Sequence, residues 1–325
     1  MRTLRYNAAV REALAQEMAR DERVFVFGED VAHHGGVFRV TEGLLARFGP
    51  ERVFDTPIAE SGIVGLGVGA ALMGMRPVAE IQFTDLITVA MDQLVSSAAK
   101  ARFVTDGAMH VPLVVRVVNL GKGTVYSGQA LEAWFTHVPG LKVVVPSNPR
   151  DAKGLLISAI EDPDPVLFFE HRDLYSVAGP VPEERYTVPL GQAEICRKGS
   201  DATIVAYSAM VGAAKEAAEV LAGEGVDVEV IDLRTLVPFD RESVVASVCK
   251  TGRLVIAHEA VQRTGFGAEV AATVADSDAF GYLAAPIVRV ANPNVPVPYS
   301  KALHKYALPG QVEIVAAVRR VMTYA

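Results

Sequence analysis

With 325 residues, half of them hydrophobic, the chain has material for two domain-sized cores. A net charge of −7 without a basic stripe argues against a nucleic-acid-binding face, and no apolar run reaches the roughly 18 residues of a membrane span. The two cysteines, Cys196 and Cys249, make no disulfide framework and point to a reducing cytoplasm.

The N-terminus reads as an amphipathic helix over residues 6–20 with Val10, Leu14 and Met18 on one face. Its charges interrupt any apolar core, so it is not a signal peptide. A strand at Val24–Phe27 ends in Gly28-Glu29-Asp30, the polar loop 32–36 follows, and Thr41–Phe48 looks helical. Next comes the most unusual stretch. Thr56 is placed to cap a helix and Pro57 to occupy its first turn, after which Ile63, Val64, Leu66, Val68, Ala71 and Leu72 run on as helix. This helix carries glycines at 62, 65, 67 and 69, each weakening it by up to about 1 kcal/mol relative to alanine. Such a run is tolerated where another backbone or a ligand must come close. Its single carboxylate, Glu60, has two readings: a charge favoured by the helix dipole, or a buried acid among Ile58, Ile63 and Val64 prepared for proton transfer.

Strand Pro77–Ile81 precedes a helix expected from about Asp85 to Arg102. Strand Leu113–Val118 then leads into the glycine-bearing loop Asn119–Gln129. Strand Lys142–Val145, helix Arg150–Glu161 and strand Val166–Phe169 continue the alternation, which implies a mainly parallel sheet covered on both faces. Residues 171–191, with three prolines and two glycines, break the rhythm. The chain is therefore expected to form an α/β fold of two doubly wound domains, 1–175 and 192–325, with a linker over 176–191. In the second, strands at Ala202–Ala206, Val226–Ile231, Arg253–His258 and Ile287–Val290 alternate with helices at Val211–Ala222, Arg241–Cys249, Gly267–Ala275 and Gln311–Met322.

No phosphate loop of the GxxxxGK[ST] type is present, and no GxGxxG lies between a strand and a helix. His33 and His34 lack a third metal ligand at suitable spacing, and the other histidines stand singly. Residue chemistry alone yields a two-domain α/β protein with one suspicious carboxylate.

A string of motifs along the whole chain adds to this. It includes Gly28-Glu29-Asp30-Val31, Gly36-Val37-Phe38, Asp55-Thr56-Pro57-Ile58-Ala59-Glu60, Arg76-Pro77-Val78-Ala79-Glu80-Ile81-Gln82-Phe83, Glu132-Ala133-Trp134-Phe135 and Pro139-Gly140-Leu141-Lys142-Val143-Val144. Asp151-Ala152-Lys153-Gly154-Leu155-Leu156, Asp232-Leu233-Arg234-Thr235-Leu236, His258-Glu259 and Pro296-Val297-Pro298-Tyr299 continue it. In these the chain resembles the beta subunit of the thiamine diphosphate-dependent, decarboxylating component of 2-oxo acid dehydrogenase complexes, the pyruvate, branched-chain and acetoin type. The resemblance implies a thiamine pyrimidine-binding domain followed by a smaller transketolase C-terminal-like domain.

It also implies roles. Glu60 would bond the N1′ nitrogen of the aminopyrimidine and so activate thiamine diphosphate, while Glu29, Ile58, Ala59, Gln82 and Leu86 would line that ring. A separate alpha subunit would hold the diphosphate and its magnesium, in an alpha2beta2 heterotetramer. The acyl group would pass to the lipoyl group of an acyltransferase core, docked on an acidic face of the second domain. A potassium ion is implied at Val111, Leu113, Val114, Ala159, Asp162 and Asp164. Two positions depart from the family pattern. Leu86 stands where an aromatic residue is usual, and Ser127, in Tyr126-Ser127-Gly128-Gln129, stands where the family carries a histidine; Ser127 and Gln129 are the loop's candidates for substrate contact. Two other readings are the C-terminal subunit of a split transketolase acting on sugar phosphates, and a noncatalytic scaffold.

Overall fold

The computed structural model describes residues 2–123 and 125–324. The chain forms two compact units, one holding the chain up to Leu120 together with Trp134–Leu190, the other Gly121–Ala133 and everything from Gly191 onward. Among the described residues, no helix is long and apolar enough to cross a membrane.

The first unit runs β1 (Arg2–Arg5), α1 (Tyr6–Arg20), β2 (Val24–Gly28), α2 (Leu44–Phe48), β3 (Val53–Asp55), α3 (Glu60–Leu72), β4 (Arg76–Ile81), α4 (Ala101–Val104) and β5 (Val114–Asn119). After the excursion 121–133, in which α5 (Glu132–Thr136) begins, come β6 (Lys142–Val144), α6 (Pro149–Glu161), β7 (Val166–His171) and β8 (Ala178–Val181). Its parallel strands lie in the order β6-β7-β5-β4-β2-β3. Strands β2, β5 and β7 are buried at every position, which is why they read as largely apolar runs, interrupted by Arg116 in β5 and Glu170 in β7. In α1 the buried residues Tyr6, Val10, Leu14, Glu17 and Met18 keep helical spacing, and this face packs on α6. Asn148 caps α6 by accepting from the Asp151 amide at 2.9 Å, with Pro149 at the first position.

Two sequence expectations fail locally, for visible reasons. Helix α3 begins at Glu60 with Ala59 as an unaided N-cap, not at a Thr56 cap. The Thr56 amide donates to the Gly28 carbonyl at 3.0 Å and so prolongs the β2–β3 ladder, holding Thr56 in the strand's continuation. The expected helix 85–102 is instead a 3₁₀ segment at Thr84–Ala90, a π segment at Gln93–Ala98 and the short α4. Here the Thr88 hydroxyl donates to the Asp85 carbonyl at 2.7 Å, and the Ser61 hydroxyl takes the Val89 carbonyl at 2.5 Å. Both compete with a regular helical ladder. The stretch 176–191, read as linker, carries β8, which pairs antiparallel with β1 from Arg2↔Val181 to Arg5↔Ala178. It is also clamped. The fully buried Lys153 ammonium on α6 donates to the carbonyls of Pro182, Glu183 and Glu184 at 2.8, 3.2 and 2.8 Å and pairs with Glu12 at 2.6 Å.

The second unit runs β9 (Glu194–Arg197), β10 (Ala202–Ala206), α7 (Met210–Ala222), β11 (Val228–Asp232), β12 (Thr235–Val237), α8 (Arg241–Thr251) and β13 (Leu254–Val261). It ends with α9 (Gly267–Ala275), β14 (Val288–Asn292), α10 (Lys301–Ala307) and α11 (Gln311–Met322). Its sheet has the order β14-β13-β10-β11-β9, parallel except for the antiparallel edge strand β9. Helices α7 and α11 close one face over Ala206, Val230 and Val290.

Three adjacent strands of the first sheet each carry one buried charge: Glu80 on β4, Arg116 on β5 and Glu170 on β7. All three are buried. Arg116 donates to Glu80 Oε2 at 2.5 Å and to Glu170 Oε1 at 2.6 Å, and the Tyr175 hydroxyl donates to Glu170 Oε2 at 2.9 Å. Burial raises the Glu80 carboxyl above the usual carboxylate range despite the Arg116 charge beside it. One guanidinium thus holds two carboxylates in the dry interior. Arg116→Met should destabilise the chain by about 3–5 kcal/mol in urea unfolding, because two carboxylates lose their cation. Replacing Glu80, Arg116 and Glu170 together by apolar residues of similar volume should recover most of that loss.

Candidate functional site

In the first sheet the chain leaves β2 outward to the edge strand β3, then returns past β2 to β4 on its other side. The order reverses between β2 and β4, and open α/β sheets bind ligands beyond the carboxyl ends of strands at such a reversal. Glu29 directly follows β2, Thr56–Glu60 follow β3, and Gln82 and Leu86 follow β4. The fold therefore brings the residues expected around one ring to the ends of three neighbouring strands.

The backbone at this end is tightly built. Gly28 has φ +150°, and a Cβ there would lie 2.6 Å from the Glu80 carbonyl oxygen of the neighbouring strand, so only glycine fits. The loop after Glu29 folds back onto Asp55, whose carboxylate accepts from the Ala32 amide at 2.7 Å and meets His33 Nδ1 at 2.7 Å. His33 is thereby occupied, and among the described residues no group of three or more His, Cys, Asp or Glu side chains is arranged to hold a metal. Phe38 of the same loop packs on Tyr175, ring centroids 5.3 Å apart, which ties the loop to the buried Arg116 cluster.

Glu60, the first residue of α3, is 6% exposed, with Ile63 and Val64 of its own helix buried after it. Among the described residues its carboxylate has no hydrogen-bond or ion-pair partner. Glu29 is 8% exposed, and burial raises its carboxyl above the usual range, with the charges of Glu60 and then Asp30 adding to the effect. The Glu29 carboxyl thus sits close enough to Glu60 to feel its charge. Gln82 and Leu86 are half-buried. Ile58, expected beside Glu60, is 80% exposed, and Ala59 is exposed as well. Within α3, Gly67 faces inward, where a Cβ would meet Leu113 Cδ1 at 2.8 Å, whereas Gly69 has nothing within 4 Å and leaves an open surface.

The residues suggested for potassium lie elsewhere in this unit. Val111, Leu113, Val114 and Ala159 are buried, and Asp162 and Asp164 occupy the turn after α6. Both aspartates already have cations: Lys142 Nζ lies 2.6 and 2.5 Å from the Asp162 oxygens, and Arg102 lies 2.6 Å from Asp164.

Ser127 and Gln129 belong to the excursion that joins the second unit, and both are half-buried. In that unit the Tyr207 hydroxyl donates to Glu132 Oε1 at 2.7 Å, and the Tyr207 ring stacks on His258 at 6.0 Å with an interplanar angle of 14°. Burial lowers the His258 pKa to about 4, so the ring is neutral, and Nδ1 lies 3.1 Å from the Ala260 carbonyl, which makes Nδ1 the protonated nitrogen. Tyr207, Arg116 and Glu170 escape notice in the sequence. A lone charge in an otherwise apolar strand is the available signal for the last two; Tyr207 has none.

Residues 2–177 match the family model described as transketolase, pyrimidine binding domain, and residues 191–314 match that of the transketolase C-terminal domain. The chain is similar to the 2-oxoisovalerate dehydrogenase subunit beta of Bacillus subtilis (strain 168), 44% identical over the whole of both chains. It is 45% identical to the pyruvate dehydrogenase E1 component subunit beta of Rickettsia felis, covering 98% of each. It is 46% identical to the acetoin:2,6-dichlorophenolindophenol oxidoreductase subunit beta of Cupriavidus necator, covering 99% of this chain and 98% of that protein. Among solved structures it resembles a split gene transketolase described as an inactive beta4 tetramer, with TM-score 0.81 and 25% identity over 98% of this chain and 97% of that one. Fold, strand-end acids and full-length likeness converge: the chain belongs to the transketolase-like family of 2-oxo acid dehydrogenase E1 beta subunits.

Proposed function

We propose that this chain activates thiamine diphosphate for the oxidative decarboxylation of a 2-oxo acid, pyruvate or a branched-chain acid, in an alpha2beta2 assembly. The observation that carries the reading is Glu60, a buried carboxylate beyond the carboxyl ends of the strands that has no partner among the described residues. A carboxylate left so is costly unless a bound group supplies a donor. The aminopyrimidine N1′ nitrogen is such a group, and the residues present fit it. Glu60 would hold the shared proton at N1′, Glu29 would keep the surroundings acidic, and Gln82 with Leu86 would orient and cover the ring. When bound, the cofactor supplies a nucleophilic carbon and an electron sink for decarboxylation.

The same family reading assigns the diphosphate and magnesium to an alpha subunit and the acyl group to the lipoyl group of an acyltransferase core, in the cytoplasm. Leu86 would give up an aromatic contact of about 0.5–1.5 kcal/mol. Ser127 cannot exchange protons near pH 7 as the family's histidine can, so that duty would fall to another group. A potassium ion at the Asp162–Asp164 turn would have to compete with Lys142 and Arg102.

Coexpressed with its alpha chain, the protein should reduce a dye in the presence of pyruvate or branched-chain 2-oxo acids and leave sugar phosphates untouched. Glu60→Gln should lower kcat by about 100-fold or more; an undiminished rate would overturn the assigned role. Independently of turnover, Glu60→Gln removes a like charge from Glu29. A carbon-13 NMR titration should therefore find the Glu29 carboxyl at a lower pKa in the variant than in the wild type.

A further inference from the structure

The second sheet repeats the strand order of the first around β10: the chain goes from β10 to β11 on one side, then returns to β13 on the other. Its reversal point therefore lies between β10 and β13, and a crevice there is where such sheets usually take a ligand. Tyr207 directly follows β10, and His258 lies on β13. Tyr207 is bonded to a side chain of the protein itself, Glu132, from the excursion that also carries Ser127 and Gln129. All three side chains are buried: Glu132 is 4% exposed, Tyr207 3% and His258 0%.

We propose that Tyr207 is a positioning residue for the reaction, acting through its bond to Glu132 to hold the Ser127–Gln129 segment in place. The inference rests on the function proposed above, with Ser127 and Gln129 as the loop's candidates for substrate contact. The anchor is rigid at the Tyr207 end. His258, on which the tyrosine stacks, is held by Ala260 and pressed by two glycines: a Cβ on Gly265 or Gly267 would come within 2.7 or 2.6 Å of the imidazole ring. A bond between a hydroxyl and a carboxylate in dry surroundings is among the stronger neutral-to-charged kinds. Only Leu131 and Ala130 separate Glu132 from Gln129, so the restraint reaches the loop directly. Nothing else about the tyrosine's ring need change for the restraint to be lost, which makes a hydroxyl deletion a clean probe.

The test compares wild type, Tyr207→Phe and Glu132→Gln, all assembled with the alpha chain. Tyr207→Phe keeps the stacked ring. Amide hydrogen exchange over residues 121–131 should quicken by about tenfold while the rest of the second unit is unchanged. The kcat for the 2-oxo acid should fall about tenfold with thiamine diphosphate affinity unaltered, while the thermal midpoint falls by a few degrees because the buried Glu132 carboxylate loses a donor. Glu132→Gln, which keeps an oxygen to accept from the tyrosine, should retain most of the wild-type rate. Unchanged exchange in Tyr207→Phe would overturn the anchor, and unchanged kcat beside faster exchange would overturn its service to the reaction. A wild-type assembly inactive on every 2-oxo acid would instead strike the function proposed above, and the exchange result would still decide the anchor.

Discussion

A carboxylate removed from water needs something to answer its charge, and this chain answers it in two opposite ways. Glu80 and Glu170 are compensated inside the fold by Arg116 and Tyr175. Glu60, 6% exposed, is left without a partner among the described residues, at the end of the sheet where the order of strands reverses. The same sheet therefore contains a closed set of charges that stabilises it and an open one that does not. The proposed chemistry depends on the open charge, and the closed set keeps the strands beneath it in register.

That division also shows how much the sequence could tell. Helices α1, α9 and α11 have the bounds expected from periodicity, because their apolar stripes and flanking polar residues agree. The α/β class follows from the alternation of elements. The beginning of α3 does not, since Thr56 and Pro57 carry every local sign of a helix start, and only the ladder bond to Gly28 keeps Thr56 extended. Residues 85–102 have helical composition, but hydroxyls of Thr88 and Ser61 take carbonyls that a helix would use. Strands β1, β8 and β9 are short edges whose pairing is set by distant segments, so no window of sequence contains the cause.

The site was legible to a different extent. Glu60 drew attention as the only acid in a glycine-rich apolar helix, and the family motifs named Glu29 and Gln82 without showing why those positions belong together. Topology supplies the reason: three consecutive parallel strands end side by side, and each is followed at once by one of the expected residues. Ile58 illustrates the opposite case, an apolar residue adjacent in sequence to Glu60 that lies open in this chain. Tyr207 could not have been found by pattern, because its importance comes from Glu132, which reaches it from a segment far earlier in the chain.

The clamp around Lys153 carries a consequence of another kind. Three successive carbonyls converge on one ammonium, so the spacing of residues 182–184 is measured against a single point. Deleting or inserting one residue there would turn at least one carbonyl away and leave the buried ammonium with Glu12 and fewer acceptors. The length of this stretch is thus coupled to the identity of position 153: a chain engineered to a different count there loses the set of acceptors that makes a buried lysine tolerable.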